Sequence, residues 1–176
     1  MFHERFPEIK LNAKDAVEVL KFVFEEEVPR RKKIMVDEAK ISGNRVEAKK
    51  NYIENVLNNT KPLLKPLIIV IDEFNEIMLQ NGPDRDDFVK YITSIAQTSR
   101  SVLVHLILIT QKPERIVLPG TIKANLPTRA AFRLPVATDS ITILGHGGAE
   151  KLLGSGDFLF QNNGRQDVRL QGFALD

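Results

Sequence analysis

Leu67-Ile68-Ile69-Val70-Ile71-Asp72-Glu73 is the stretch on which the reading of this chain turns. Five apolar residues, all but the first β-branched, follow Pro66 and stop at two acids. An apolar run without polar alternation reads as a strand covered on both faces, as in a parallel sheet flanked by helices. In open parallel sheets, ligands gather beyond the carboxyl ends of the strands. A carboxylate placed there can hold Mg²⁺ through water, and its neighbour can orient or deprotonate an attacking water. The same pair also fits a strand end followed by an acidic helix N-terminus, which the helix dipole favours.

Working outward, Val102 to Ile109 reads as a second buried-type strand, interrupted only by His105. Between the two strands, the turn Asn81-Gly82-Pro83-Asp84 precedes a helical pattern with Phe88, Ile92, Ile95 and Ala96 on one side. Strand, helix, strand in this order is the signature of a right-handed βαβ unit. The second strand ends in Thr110-Gln111, which brings polar side chains to the same sheet edge as Asp72 and Glu73. An amide there can sense a γ-phosphate or its attacking water, although an ordinary strand-to-loop transition looks the same. Arg100 precedes that strand and so belongs at the opposite edge. It is poorly placed for its own nucleotide but within reach of a neighbouring subunit's, as an arginine finger is. A helix C-terminal arginine facing the dipole is the equal alternative.

The flanks are plainer. Asn12 and Asp15 form a capping-box-like start, and Ala16, Leu20, Val23 and Phe24 recur at helical spacing. Pro29 is expected to end or kink that helix. Arg30-Arg31-Lys32-Lys33 reads as a solvated helix end neutralised by Glu25-Glu26-Glu27, in preference to a nucleic-acid or membrane patch. Val46, Ile53 and Leu57 suggest a second helix. Ala130 to Leu134 is a further strand, and Asp157-Phe158-Leu159-Phe160, a turn at Gln161 to Gly164 and Val168 to Phe173 form a terminal hairpin.

Composition sets the outer limits. The 176 residues suit one domain, and 43% apolar with 27% charged residues is ordinary for a globular protein. A net charge of +2 leaves nucleic-acid affinity to local clusters. The absence of cysteine excludes disulfides and thiolate zinc sites, and His3, His105 and His146 lack metal-ligand spacing. No signal peptide or membrane-length apolar run is visible, so a soluble protein of a reducing compartment is expected. No Gly-Lys pair occurs, hence no Gly-x-x-x-x-Gly-Lys-[Ser/Thr] loop. Gly145-His146-Gly147-Gly148 and Gly154-Ser155-Gly156 lack a lysine to reach phosphates and do not lead a buried strand into a helix, so neither reads as a phosphate cradle.

Four motifs taken in order resemble the FtsK/SpoIIIE motor domain: Asp72-Glu73-Phe74 after the strand, Thr110-Gln111-Lys112-Pro113, Ile122 to Arg129, and Gly148-Ala149-Glu150-Lys151-Leu152-Leu153-Gly154-Ser155-Gly156-Asp157. The resemblance runs from about Asn12 to the C-terminus and is strongest from Leu67 to Phe160. It implies an α/β, RecA-like P-loop ATPase core. The sheet is an incomplete parallel one flanked by helices, with a C-terminal β-hairpin, over 1–176 (a helical portion 1–60 and a sheet portion 61–176). It also implies a ring-forming, hexameric translocase of double-stranded DNA, cytoplasmic, with relatives tethered to membranes, and a role in chromosome segregation. By position, Asp72 is similar to the magnesium-associated Walker B acid and Glu73 to the catalytic base. Gln111 resembles the sensor, with Thr110 beside it at the nucleotide, and Arg100 the trans-acting arginine. Lys112, Arg115 and Lys123 fall in the stretch that carries DNA-contacting loops, where contacts to phosphate are independent of sequence and weakened by salt. ATP and Mg²⁺ are the implied cofactors, in a motor completed by a P-loop.

Lys112 stands where the family has arginine, keeping the charge but losing the guanidinium fork. Pro29 interrupts a helix that is continuous in relatives. The chain is expected to begin after the Walker A loop and to stop before any winged-helix module that reads DNA sequence. A sheet without its P-loop strand exposes edges and apolar faces, so the chain should pair with itself, cover the sheet with its N-terminal helices, or need the missing half in trans. Two further readings remain open: a conjugation or protein-secretion motor of the same fold, and a non-catalytic assembly fragment.

Overall fold

The computed structural model describes residues 13–41, 43, 46, 47, 50, 54, 64–163 and 165–173. They fall into two compact units: residues 1–71 with 80–107, and residues 72–79 with 108–176.

In the first unit, α1 (Ala13–Phe22) continues through a π-helical turn (Val23–Glu27) into α2 (Val28–Ile41). Ala16, Leu20 and Val23 are buried, as their spacing predicts. Pro29 does not end the helix. A proline inside a helix presses its ring on the carbonyl four residues earlier and donates no hydrogen bond. Here the turn before it widens, the Val28 N–H reaching back to the Val23 carbonyl. One extra residue in the turn absorbs the proline, and the helix runs on. Asn12, Ile53 and Leu57 lie outside the described residues, so the expected cap and second helix cannot be followed there; Val46 is exposed.

The basic run Arg30 to Lys33 differs from expectation at one residue. Arg30, Lys32 and Lys33 are exposed, but Arg31 is buried. Its Nε donates to Glu27 Oε1 at 2.7 Å, and its terminal nitrogen donates to the carbonyls of Lys65 (2.9 Å) and Val102 (3.2 Å). Glu27, also buried, takes two more hydrogen bonds from Arg30, each 2.7 Å. Burial pushes the Glu27 carboxyl up, and the bonds from both arginines outweigh it and hold the group below its usual value. One guanidinium therefore joins the helix to the residues just ahead of two strands.

Those strands are β1 (Leu67–Ile71) and β2 (Val104–Leu108), neighbours in a two-stranded parallel sheet, with the Leu67 N–H on the Leu103 carbonyl at 2.9 Å. Between them run α3 (Asn75–Met78) and α4 (Pro83–Thr98). Gly82, at φ 128°, admits Pro83 as the first residue of α4, where its missing N–H is no loss. Phe88, Tyr91, Ile92 and Ile95 face inward, and α1 packs along α4. Among the described residues, the two-faced cover expected for β1 is only half present. Leu67, Ile69 and Ile71 are partly buried, whereas Ile68 and Val70 are 58% and 56% exposed, and Ile107 of β2 is 47% exposed. A run apolar on both faces signals that both were selected for burial. It does not say which polypeptide covers them.

The second unit carries an antiparallel sheet in the order β3 (Thr128–Phe132), β4 (Asp157–Asn162), β5 (Val168–Gln171). Thr128 pairs with Asn162 and Phe132 with Phe158, then Asp157 with Gln171 and Phe160 with Val168. The hairpin expected at the C-terminus is β4–β5, and the strand expected at Ala130 to Leu134 joins it, apart from β1 and β2. Its core is Ala131, Leu144, Ala149 and Leu152, supplied by β3, by α6 (Ala137–Leu144) and by a 3₁₀ turn at Ala149–Lys151; α5 (Gly120–Asn125) precedes β3. Glu150 closes the glycine loop by accepting from Ser140 Oγ and from the Gly148 N–H, both at 2.7 Å. Gly156 is at φ 89°, and a Cβ there would lie 2.9 Å from the Gly172 carbonyl, so the hairpin base admits only glycine. Beside it the buried Asp157 accepts from the Leu153 N–H (2.8 Å) and from Arg169 Nε and Nη2 (2.9 and 2.7 Å).

Two stability outcomes follow from these contacts. Arg31→Leu should cost about 3 kcal/mol in urea unfolding, because it strands buried acceptors and part of the Glu27 charge, while Lys33→Ala stays within about 0.5 kcal/mol. The hydrogen bonds from Arg169, and then the Leu153 N–H, hold Asp157 at about 2, below its ordinary 3.8. A depressed carboxyl contributes stability in full above its unfolded value and loses it as pH falls from about 3.8 toward 2. Asp157→Asn should flatten that acid limb in a thermal melt series and lower the melting temperature at neutral pH.

Candidate functional site

The site grows from the end of β1. Glu73 has φ 50°, a left-handed conformation that costs a residue with a Cβ about 1–2 kcal/mol. Beyond the turn Phe74 is 2% exposed, with Ile77 and Met78 also buried. The Phe74 N–H meets the Ile109 carbonyl at 3.4 Å, so the two strand ends are held together.

That reversal brings the Glu73 carboxylate to the residues that follow β2. Thr110 Oγ1 donates toward Glu73 Oε1 at 3.3 Å, and the Gln111 backbone N–H approaches the same oxygen at 3.4 Å. Asn75 Oδ1 stands 3.4 Å from Thr110 Oγ1, which also accepts the Lys112 N–H at 3.1 Å. Glu73, Thr110 and Gln111 are therefore brought together, with the Gln111 backbone making the contact and its side chain exposed. Glu73 is partly exposed and Asp72 exposed. Hydrogen bonds of 3.3–3.4 Å are long and hold the carboxylate only loosely.

The donor set suits magnesium held through water. Asp72 presents a hard oxygen donor at the strand end, and no cluster of three or more metal-ligating side chains exists among the described residues. Mg²⁺ needs only one or two carboxylates when phosphates and water complete its shell.

The remaining candidates lie elsewhere. Arg100 is exposed and opens a 3₁₀ turn, Arg100–Val102, ahead of β2, at the opposite end of that strand from Thr110. Lys112 and Arg115 are exposed. Lys123, in α5, donates its Nζ to the Thr142 carbonyl at 3.0 Å, so it is tied down as well as charged. Arg115 and Lys123 line one open groove of about 610 Å³, together with Glu114 and Asp139. Its charge is mixed.

Comparison with known proteins was made by sequence and by structure. The chain is 41% identical over 134 residues to the DNA translocase SpoIIIE of Bacillus subtilis (strain 168), a match covering 74% of the chain. It is 45% identical over 116 residues to the DNA translocase FtsK of Oceanobacillus iheyensis, covering 65% of the chain. The chain is homologous to proteins named DNA translocase SpoIIIE and FtsK. It spans 17% and 14% of the lengths of those two relatives. No family model matches. Among solved structures, the pCW3 conjugation coupling protein TcpA, in its monomer form with ATPγS, superposes with a TM-score of 0.71 at 26% identity, over 94% of this chain and 46% of TcpA. The cytoplasmic domain of the type VII secretion ATPase EccC from Thermomonospora curvata shares the fold, with a TM-score of 0.66 at 24% identity over 91% of this chain and 18% of EccC. Among the described residues no helix is long and apolar enough to cross a membrane.

Two residues stand out that sequence reasoning left without a role. Asn75 is 8% exposed and touches Thr110, yet an asparagine two residues beyond an acid carries no signal of its own. Arg129 donates to the carbonyls of Lys123 (2.9 Å), Leu126 (3.3 Å) and Ile143 (3.1 Å) and to Gln161 Oε1 (3.3 Å). It fixes the peptide that carries Lys123. Its place in the motif Ile122 to Arg129 was the available hint.

Glu73 gives a direct test of its backbone. At a left-handed site glycine is free of the Cβ penalty, so Glu73→Gly should be more stable than Glu73→Ala by about 1 kcal/mol in chemical denaturation. At a right-handed helical position the order is the reverse.

Proposed function

We propose that this chain forms the water-activating part of an ATP-driven motor that moves double-stranded DNA, working with a P-loop supplied by another segment. The observation that carries the reading is the Glu73 carboxylate, held at the end of β1 by the Thr110 hydroxyl and the Gln111 N–H. In this reading Glu73 takes the proton of the attacking water, and Asp72 orients the magnesium shell through its exposed oxygens. Bound Mg²⁺ supplies charge neutralisation at the phosphates. Gln111 senses the γ-phosphate, and Thr110 keeps Glu73 aimed. Arg100 acts on the nucleotide of the next subunit in a ring. Exposed Lys112 and Arg115, with Lys123 beside the groove, meet DNA phosphates. The homology to proteins named DNA translocases supports DNA as the cargo.

A second reading, a conjugation or secretion motor, is favoured by the likeness to TcpA and EccC. The stimulating polymer separates the two. Supplied in trans with a segment bearing Gly-x-x-x-x-Gly-Lys-[Ser/Thr], the chain should hydrolyse ATP, and faster with double-stranded DNA. Glu73→Gln should lower turnover by about 100-fold or more while leaving nucleotide binding intact. Lys112→Ala and Arg115→Ala should weaken DNA binding uniformly across sequences, each reducing the salt slope by about 1. Turnover retained by Glu73→Gln would remove the assigned base, and hydrolysis indifferent to DNA would favour the second reading.

A further inference from the structure

Thr110 Oγ1 has three polar neighbours and one proton. The Lys112 N–H donates to it at 3.1 Å, Glu73 Oε1 lies at 3.3 Å and the Asn75 amide at 3.4 Å. A hydroxyl donates once and accepts twice. With Asn75 Oδ1 turned toward it, Asn75 and Glu73 compete for that single proton. Turning the terminal amide by half a turn puts Nδ2 in the same place. Thr110 is then fully used: the Lys112 N–H and Asn75 Nδ2 donate to it, and its single proton goes to Glu73. Which end of an amide faces a neighbour is decided by such networks.

We infer that Asn75 is a positioning residue for the water-activating carboxylate: its amide donates to Thr110 and commits that hydroxyl's proton to Glu73. The inference rests on the reading of Glu73 as the base. Three features support it. Asn75 is 8% exposed at the start of α3, a place where an unpartnered amide is costly. Glu73 is itself held in a left-handed turn, so its carboxylate swings from a fixed point. Both hydrogen bonds that reach the Glu73 carboxylate, from Thr110 Oγ1 and the Gln111 N–H, end on Oε1, so Oε2 takes none from this network. Oε1 would be the anchored oxygen and Oε2 the one turned to the water.

The chain alone and the P-loop-supplied ATPase test this separately. Asn75→Asp keeps the side chain's size but can only accept, so it draws the Thr110 proton away from Glu73; Asn75→Ala removes the donor without adding charge. In nuclear magnetic resonance spectra of the chain, both variants and Thr110→Val should shift the Glu73 carboxyl carbon and the Gln111 amide, while the methyls of Leu144 and Leu152 stay in place. In the supplied ATPase, kcat should fall about tenfold with KM for ATP changed less than twofold, and Thr110→Ser should recover most of the loss caused by Thr110→Val. If Glu73→Gln abolishes turnover but Asn75→Asp and Asn75→Ala keep the wild-type kcat, the positioning role is overturned. A rise in KM without a fall in kcat overturns it too. Should Glu73→Gln retain turnover, the base reading is the one that fails, and unmoved Glu73 and Gln111 resonances in the Asn75 variants would overturn the hydrogen-bond relay independently.

Discussion

The left-handed residue at Glu73 is the constraint from which the candidate site follows. An apolar strand that ends at a ligand-binding edge must turn its next side chains back into the protein, and here a single residue makes the reversal. The strain of about 1–2 kcal/mol is offset directly, because Phe74, Ile77 and Met78 are buried by the turn and each is worth roughly 1.5–3 kcal/mol. The acid therefore sits where packing energy holds an unfavourable backbone. Its carboxylate meets Thr110 as a result of that geometry, without any strong hydrogen bond of its own.

In the other unit the ordering element is a buried charge. Taking a guanidinium out of water is costly unless nearly every N–H finds an oxygen. Arg31 places three of its five N–H groups on one carboxylate oxygen and two carbonyls. The carbonyls precede β1 and β2, so the cation also sets where the sheet begins relative to the helix. Burial of such a group is weak evidence of added stability and better evidence of a fixed register.

Much of this was legible beforehand. The strand ending at Asp72, the helix with Phe88, Ile92 and Ile95, and the hairpin after Asp157 all declare themselves by periodicity or turn residues, which are local signals. So does the convergence of Glu73 with Thr110, since parallel neighbours end at one edge. What escaped is non-local. Arg31 looks like Arg30, Lys32 and Lys33 in sequence, and only the arrival of the Lys65 and Val102 carbonyls makes it different. Pro29 carries a correct warning about the α-helix, but the chain answers it by widening a turn, a response that propensity does not encode. The exposed faces of Ile68, Val70 and Ile107 fit a sheet still lacking a neighbour, and an apolar run cannot say where its cover comes from. Asn75 depends on a hydroxyl thirty-five residues away.

The π turn has a consequence for tolerance to insertion and deletion. An α-helix advances about 100° per residue, so the extra residue between Val23 and Glu27 sets the angular offset between the buried stripe of α1 and Arg31 on α2. Loss of one residue there would restore regular winding and still leave a good helix. It would also swing the guanidinium about a quarter-turn around the axis, away from the carbonyls that receive it. The frame of the helix, more than its continuity, is what the sheet has come to rely on.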